Sequence, residues 1–302
     1  MQSYDINPEL VAFGDGYFVV TSENQLYCID AEGVRWKKKF VTTFYRDPYT
    51  DVKISAIDAA GGIIAAGTNF MDGKLYLMDE DGKKLWEHQF ATIASLGWRP
   101  EDVICISIGR GFVSVATRFM HDYVYAYTFD RERLFEHRFD EDVLKLSSSS
   151  STAVLTERGI AVFDLKGKKI VEVEGRFCDV CNCGKIFLCG TDKDFIDNKS
   201  VVLMSGEKIY CSSDRIYVCR GSTVSSYSLP DLQMLWSLKA GKVVSILCGD
   251  EEYLMTDKRI LRVEDGEIKA EMRFFGDPVG LADLGTAYAV YHDGKLRVTP
   301  LP

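Results

Sequence analysis

The chain has 302 residues, of which 46% are hydrophobic and 27% are charged, so it can bury a sizeable core and is not disordered. Its 36 Lys and Arg stand against 45 Asp and Glu, and the net charge of -9 argues against diffuse binding to nucleic acid or to an anionic membrane. The N-terminus lacks a secretory signal pattern, and no apolar run approaches the roughly 20 residues of a membrane-spanning helix. We therefore expect a cytoplasmic protein that does not contact a membrane.

From residue 25 onward the chain repeats itself. A first copy, QLYCIDAEGVRWKKKF, occupies residues 25–40, and two fuller copies occupy residues 69–90 and 118–139. A weaker copy follows at 159–174, and fragments recur near the C-terminus. The two fuller copies are offset by 49 residues and share eight identities: Phe70/Phe119, Met71/Met120, Tyr76/Tyr125, Asp81/Asp130, Leu85/Leu134, Glu87/Glu136, His88/His137 and Phe90/Phe139.

Each copy contains short runs of β-branched and aromatic residues bounded by Gly, Asp and Asn, which is the pattern of β-strands joined by tight turns. Antiparallel four-stranded units repeated around a ring predict an all-β fold, a single β-propeller domain over residues 1–302. Eight blades are favoured, and seven is the alternative because residues 178–241 show only seven strand patterns for two blades. We expect the N-terminal MQSYDI to supply the last blade's fourth strand and close the ring. The outermost strands are predicted at Trp36, Trp86, Phe135, Val171, Tyr210 or a residue near it, Trp236 and Ile268.

Two segments, Asp30 to Trp36 and Asp79 to Trp86, resemble the pyrroloquinoline-quinone-like repeat of the quinoprotein and WD40-like propeller superfamily. In that family an Asp…Gly…Trp pattern joins the third and fourth strands, and the Trp packs between blades. The resemblance implies the propeller fold, and in the family's enzymes it implies a quinone at the centre of the ring. This chain lacks the vicinal cysteine pair seen in many of those enzymes, so we expect no cofactor.

Long connections predict where a partner would bind. In a meandering blade, the second-to-third connection and the connection to the next blade emerge on one face, and these are enlarged at 41–52, 68–73, 91–103, 117–122 and 191–199. They are rich in aromatic residues, Met and Arg, which are enriched at protein interfaces. Phe70 and Phe119 recur at matched positions, which predicts packing within their own blades. The predicted partner-binding residues, over blades 2 and 3, are Tyr45, Arg46, Tyr49, Trp98, Arg99, Met120 and His121.

The cysteines Cys178, Cys181, Cys183 and Cys189 form the strongest metal-like pattern, because four thiolates could hold zinc or an iron–sulfur cluster. Strand alternation separates Cys178 from Cys181 and Cys183, however, and cysteine is often simply buried. We therefore predict buried free thiols and no metal. His88 and His137 share a repeat position in outer strands, which indicates a structural or solvent-facing role.

The sequence contains no phosphate loop, dinucleotide fingerprint, nucleophile elbow or His-Glu-x-x-His zinc motif. Together with the enlarged connections, this favours a non-catalytic scaffold that binds protein partners. One alternative is a quinone-dependent dehydrogenase-like enzyme or ligand-binding propeller. The second is a nucleic-acid-associated propeller using Arg46, Arg99, Arg110 and Arg118, which the negative net charge disfavours.

Overall fold

A computed structural model describes residues 1–41, 52–69, 71–94, 97–190, 197–198, 201–248 and 251–301. Within these ranges the secondary structure is entirely β, and 32 of the strands form eight four-stranded sheets. The chain is an eight-bladed β-propeller, numbered here as blades 1–8 in chain order. The predicted fold class is confirmed, with eight blades rather than seven.

The strands fall into two compact units. One unit, Glu9–Gly175, contains blades 1–4. Blade 1 comprises Val11–Phe13, Phe18–Ser22, Gln25–Ile29 and Val34–Lys39; blade 2 comprises Ile54–Ala60, Ile63–Thr68, Lys74–Asp79 and Lys84–Gln89; blade 3 comprises Asp102–Gly109, Phe112–Arg118, Asp122–Thr128 and Arg133–Phe139; blade 4 comprises Val143–Ser148, Thr152–Thr156, Gly159–Phe163 and Lys169–Glu174. A separate two-stranded sheet, Ala91–Ala94 with Gly97–Pro100, lies in the chain between blades 2 and 3.

The other unit consists of Met1–Pro8 and Arg176–Pro302 and contains blades 5–8. Blade 5 comprises Asp179–Asn182, Ile186–Gly190, Asp197–Asn198 and Val201–Ser205; blade 6 comprises Lys208–Cys211, Arg215–Arg220, Thr223–Ser228 and Met234–Lys239; blade 7 comprises Val243–Cys248, Glu252–Thr256, Arg259–Glu264 and Glu267–Arg273; blade 8 comprises Asp277–Asp283, Ala287–His292, Leu296–Pro300 and, from the N-terminus, Gln2–Tyr4.

The N-terminal strand completes blade 8. Gln2–Tyr4 runs antiparallel to Leu296–Pro300, with Gln2 opposite Val298 and Tyr4 opposite Leu296. The predicted contribution of the N-terminus to the last blade is therefore confirmed. This pairing leaves Leu296 and Val298 fully buried.

Blade 5 departs from the meander of the other blades. Its strand Val201–Ser205 runs parallel to Ile186–Gly190, and the outer position is taken by the two-residue strand Asp197–Asn198, which precedes it in the chain. The placement of Tyr210 in an outer strand was wrong, because Tyr210 lies in the innermost strand of blade 6. A two-residue strand of Asp and Asn carries no alternating pattern, so sequence periodicity could not reveal it.

The core lies between the sheets of neighbouring blades. Second strands such as Thr152–Thr156 are buried along their whole length, whereas outermost strands such as Lys169–Glu174 alternate between exposed and partly buried residues. Between blades 1 and 2, for example, Val19 packs in one cluster with Ile54 and Ile64. Within each unit, neighbouring sheets thus bury apolar residues between them, and charged residues meet solvent at the outer edges of the sheets.

Tryptophans of the outermost strands join consecutive blades, as the repeat pattern predicted. Trp36 Nε1 of blade 1 donates to the Glu80 carbonyl in the turn of blade 2 at 2.8 Å, and Trp86 Nε1 donates to the Phe129 carbonyl of blade 3 at 2.6 Å. Gly82 in the blade 2 turn has a φ of +76°, and a Cβ there would lie 2.8 Å from the Trp36 ring. Only glycine satisfies both the turn and the close approach of the indole.

Candidate functional site

The enlarged connection that sequence analysis placed between blades 2 and 3 contains a β-hairpin. Its strands Ala91–Ala94 and Gly97–Pro100 pair antiparallel, with Ile93 opposite Trp98 and Thr92 opposite Arg99. Directly opposed residues share one face of a two-stranded ribbon, so Ile93 and Trp98 stand side by side.

This hairpin exposes its largest apolar side chains. Ile93 is 72% exposed and Trp98 is 61% exposed, while Arg99 is partly buried. Among the described residues no third strand pairs with the ribbon. An exposed cross-strand pair of Ile and Trp is unusual on a surface that serves only to contact water.

The base of the hairpin is held firmly. Phe90, just before it, is buried, and its ring centroid lies 4.9 Å from that of Tyr125 in blade 3. The Glu101 amide, just after it, donates to the Phe90 carbonyl at 3.1 Å. On the blade 2 side, Gly73 has a φ of +61°, and a Cβ there would lie 2.7 Å from Pro100 Cβ. The ribbon therefore projects from a fixed base.

Glu101 ties this base to the second strand of blade 3. Its side chain is buried, and its Oε2 accepts a hydrogen bond from Thr117 Oγ1 at 2.5 Å. Burial raises the pKa of Glu101, and the hydrogen bond from Thr117 acts in the opposite direction. The pairing satisfies a polar group that burial would otherwise penalise.

A second apolar feature lies at the turn between the second and third strands of blade 3. Met120 is 72% exposed, Phe119 is 41% exposed and His121 is partly buried. The turn is closed by Arg118, whose Nε and Nη2 donate to the two carboxylate oxygens of Asp122 at 2.8 and 2.7 Å. Phe119 was predicted to pack within its blade, but its side chain is 41% exposed at this turn and belongs to none of the described core clusters.

The hairpin and the turn emerge at the same end of blade 3. Asp102, two residues after Pro100, pairs with Arg118, two residues before Met120. The exposed residues Ile93, Trp98, Phe119 and Met120 are called the apolar patch below. Of the predicted partner-binding residues, the structure thus brings Trp98, Arg99, Met120 and His121 to one end of blade 3. Tyr45, Arg46 and Tyr49, and also Phe70, lie outside the described residues.

The cysteine prediction needs a correction. Cys181 is not a free thiol, because it forms a disulfide with Cys211, and the two cysteines lie on the adjacent innermost strands of blades 5 and 6. Cys178 is exposed, Cys183 is partly buried and Cys189 is buried. Thirty residues separate Cys181 from Cys211, so only the packing of two blades brings them together. Within the described ranges no group of three or more His, Cys, Asp or Glu is placed to hold a metal ion.

His88 and His137 pack against aromatic rings, which is the structural one of the two roles that their repeat position indicated. The His88 ring centroid lies 4.8 Å from Phe90 and 5.1 Å from Tyr127, and that of His137 lies 4.9 Å from Phe139 and 4.7 Å from Phe163. Burial lowers the pKa of both imidazoles, and nearby Arg or Lys side chains lower it further.

Sequence analysis missed a set of polar residues on the innermost strands. Asp58 Oδ2 of blade 2 accepts from the Ile108 amide of blade 3 at 2.7 Å, and Ser107 Oγ of blade 3 accepts from the Ser148 amide of blade 4 at 2.9 Å. In the other unit, Asp179 Oδ2 accepts from the Ile209 amide at 3.0 Å. Each bond joins innermost strands of consecutive blades. The sequence signal, one polar residue within an apolar strand, is too common to be recognised alone.

Comparisons with known proteins support the fold. No protein-family model and no curated protein matches the chain. Among solved structures, the C-terminal WD40 domain of Sif2 is similar with a TM-score of 0.70 at 9% identity, covering 100% of this chain and 97% of that one. The chain has a repeat β-propeller fold of the WD40-like kind. At these identities the likeness shows the fold alone.

Two further similar structures have the same near-complete coverage. A chain of the mitotic checkpoint complex has a TM-score of 0.58 at 11% identity, covering 100% of this chain and 90% of that one. The WD40 domain of Neurospora crassa Pan2 has a TM-score of 0.57 at 11% identity, covering 98% of this chain and 89% of that one.

In the part of this chain that the structure describes, no helix has the length and apolar character needed to span a membrane.

Proposed function

We propose that the chain is a non-catalytic cytoplasmic scaffold that binds a protein partner through the loop-bearing face of blades 2 and 3. The observation that carries the proposal is the exposed cross-strand pair of Ile93 and Trp98 on a hairpin with a fixed base. A rigid aromatic anchor loses little conformational freedom on binding, and Trp is among the residues most enriched in binding hot spots. Met120 extends the same surface, and Tyr45, Arg46, Tyr49, Arg99 and His121 belong to the proposed set.

The structural comparisons are consistent with this proposal. One similar chain was solved as part of the mitotic checkpoint complex, which is an assembly of proteins. Two others are described as WD40 domains. For this chain, we infer a protein partner rather than nucleic acid, because the net charge of -9 opposes phosphate binding and the most exposed side chains of the proposed surface are apolar.

The test is a quantitative pull-down from native lysate with wild-type chain and an I93A/W98A/M120A variant as baits. Because all three side chains are mostly exposed, we expect the variant to fold and to keep its melting temperature within a few degrees. A partner held through these residues should be recovered at least about 30-fold less, which corresponds to the loss of a 2 kcal/mol hot spot. Binding of the purified partner by calorimetry then gives the affinity ratio directly.

The matched control is Met234→Ala, which removes a side chain of similar exposure, 60%, from the outermost strand of blade 6. It should bind the partner as the wild type does. Equal recovery by all three baits would refute the assignment of the binding surface. A bound chromophore and dye reduction after incubation with pyrroloquinoline quinone and calcium would refute the non-catalytic role.

A further inference from the structure

A second surface feature, distinct from the apolar patch, is a cleft between blades 6 and 7. It has a volume of about 270 Å³. It lies at the end of the two blades where the first strand turns into the second and the third strand turns into the fourth. Blade 6 contributes Arg215, and blade 7 contributes four carboxylates and one guanidinium. These lining residues of blade 7 are Glu251, Glu252, Arg262, Glu264 and Asp265.

Glu252 is the most deeply buried of the charged lining residues, and one of its carboxylate oxygens has no partner among the described residues. Its side chain is only 10% exposed. Its Oε1 accepts a hydrogen bond from Tyr217 at 2.9 Å and pairs with Arg215. Its Oε2 is buried and accepts no hydrogen bond from any described residue. An unpaired buried carboxylate oxygen is costly, and it leaves the charge of Glu252 only partly compensated beside the cleft.

The two guanidiniums of the cleft are already engaged. Arg215 pairs with Glu252, and Arg262 Nη1 donates to Glu251 Oε1 at 3.1 Å. The remaining acids, Glu264 and Asp265, are exposed at the third-to-fourth turn of blade 7, where Lys269 also interacts with them. The lining therefore carries two more carboxylates than guanidiniums, and its net charge favours a cation.

The contact between blades 6 and 7 also differs from the contacts that precede it in the chain. Trp36 and Trp86 donate to a turn carbonyl of the next blade, but Trp236 Nε1 in blade 6 is buried and has no acceptor among the described residues. The Trp236 ring lies 6.0 Å from the ring of Tyr217, which bonds Glu252. This blade contact therefore leaves one donor and one acceptor unpaired, where the contacts at Trp36 and Trp86 pair the indole donor.

We propose that this cleft binds the guanidinium group of an arginine side chain from a partner protein. A cleft of this volume is smaller than a typical site for a cofactor or a drug-sized ligand, and it suits one side chain. Guanidinium is planar and carries five donors in a fixed fork, which matches acceptors on Glu252, Glu264 and Asp265 better than the compact, strongly hydrated ammonium of lysine does. The proposal goes beyond the scaffold function, because it assigns a second site with a defined chemistry.

The test uses a short peptide, acetyl-Gly-Arg-Gly-amide, and its citrulline counterpart, which keeps the shape and loses the charge. Binding is followed in the ¹⁵N-labelled chain through the four tryptophan indole signals, with Trp236 assigned from the W236F variant. We expect the arginine peptide to shift the Trp236 signal saturably and the citrulline peptide to leave it unchanged. Glu252→Gln should weaken binding about tenfold or more, whereas Glu157→Gln, an exposed acid in blade 4's second-to-third turn, should not.

A rim variant keeps the test decisive if Glu252→Gln fails to fold. E264Q/D265N leaves the Arg215–Glu252 pair intact and should still weaken the arginine peptide several-fold. Equal binding of the citrulline peptide, or of a third peptide with lysine in place of arginine, would overturn the guanidinium assignment. Unchanged affinity in both the Glu252 and the rim variants would overturn the site. The I93A/W98A/M120A variant should bind the arginine peptide normally, so failure of the scaffold surface and failure of the cleft are distinguishable.

Discussion

Single residues decide how closely two blades approach each other. Gly82 shows this most clearly, because its backbone is left-handed and the Trp36 indole occupies the space where a side chain would begin. The same arrangement recurs at Gly266, where a Cβ would lie 2.6 Å from Trp236 Cβ, and at Gly167 beside Phe135. The glycine of the repeat therefore makes room for the outermost strand of the preceding blade as well as permitting its own turn.

Gly82→Ala should destabilise the protein by about 1–3 kcal/mol more than Gly111→Ala does. Both glycines have a similar positive φ, +76° and +83°, so both variants bear the cost of about 1–2 kcal/mol for a left-handed alanine. Nothing lies within 4 Å of a Cβ at Gly111, so only Gly82→Ala forces the indole to move. Urea unfolding of the two variants measures the difference. Equal losses would mean that the indole moves without cost.

The contribution of Asp58 to the stability of the folded protein should depend on pH. Burial raises its pKa above the ordinary value of 3.8, so the folded state binds the proton more readily than the unfolded state. The stabilisation from protonation is complete below the ordinary pKa and is lost as pH rises through the raised folded-state pKa. Relative to Asp58→Asn, the wild type should therefore gain stability as the pH falls from neutrality through that window.

Urea unfolding of wild type and Asp58→Asn at several pH values measures this difference. Asp130→Asn, at an exposed turn of blade 3, is the control and should track the wild type. If the difference between wild type and Asp58→Asn stays constant with pH, the raised pKa is contradicted.

At the scale of elements, the strand pattern was predictable wherever a strand is long and regular. Outermost strands at Trp36, Trp86, Phe135, Val171, Trp236 and Ile268 all lie where their repeat position placed them. Two elements were not predicted from the sequence: the strand Asp197–Asn198, which is too short to show alternation, and the hairpin Ala91–Pro100. The hairpin pairs only with itself, so no repeat position marks it.

Loss of the N-terminal strand should weaken blade 8. Removing Met1–Tyr4 leaves the edge of Leu296–Pro300 unpaired and exposes Leu296 and Val298, which are fully buried in the intact chain. The melting temperature should fall by about 2–4 °C for each kcal/mol lost. A synthetic peptide of residues 1–6 should restore part of this loss in a thermal-shift assay, and a scrambled peptide should not. An unchanged melting temperature would show that the edge tolerates solvent.

At the scale of the whole molecule, the two compact units are not independent segments of the chain. The unit of blades 5–8 includes Met1–Pro8 as well as Arg176–Pro302. The chain therefore begins in that unit, continues through blades 1–4 and then forms the remaining strands of blades 5–8. Cutting the chain at one position therefore cannot give two fragments that each contain all the strands of one unit. We therefore propose that residues 1–302 form a single folding domain.

This proposal predicts one cooperative unfolding transition. Scanning calorimetry should give a calorimetric enthalpy equal to the van't Hoff enthalpy, which is the signature of two-state unfolding. Fluorescence at tryptophans of each unit provides a second probe: Trp86 reports on one unit and Trp236 on the other. Single-tryptophan variants with separate midpoints would instead show two domains.

Sequence alone determined the architecture, because a repeated strand pattern with fixed turn glycines can bury its apolar faces only by stacking equivalent sheets. It also located two residues that end up exposed at blade 3, since Trp98 falls in an enlarged connection between blades and Met120 in an enlarged connection within blade 3. Tertiary structure alone decided which distant residues meet. The Cys181–Cys211 disulfide, the Asp58 bond to Ile108 and the Arg215–Glu252 pair each join neighbouring blades across 30 or more residues. Such contacts depend on the register of one sheet against the next, which local periodicity does not encode.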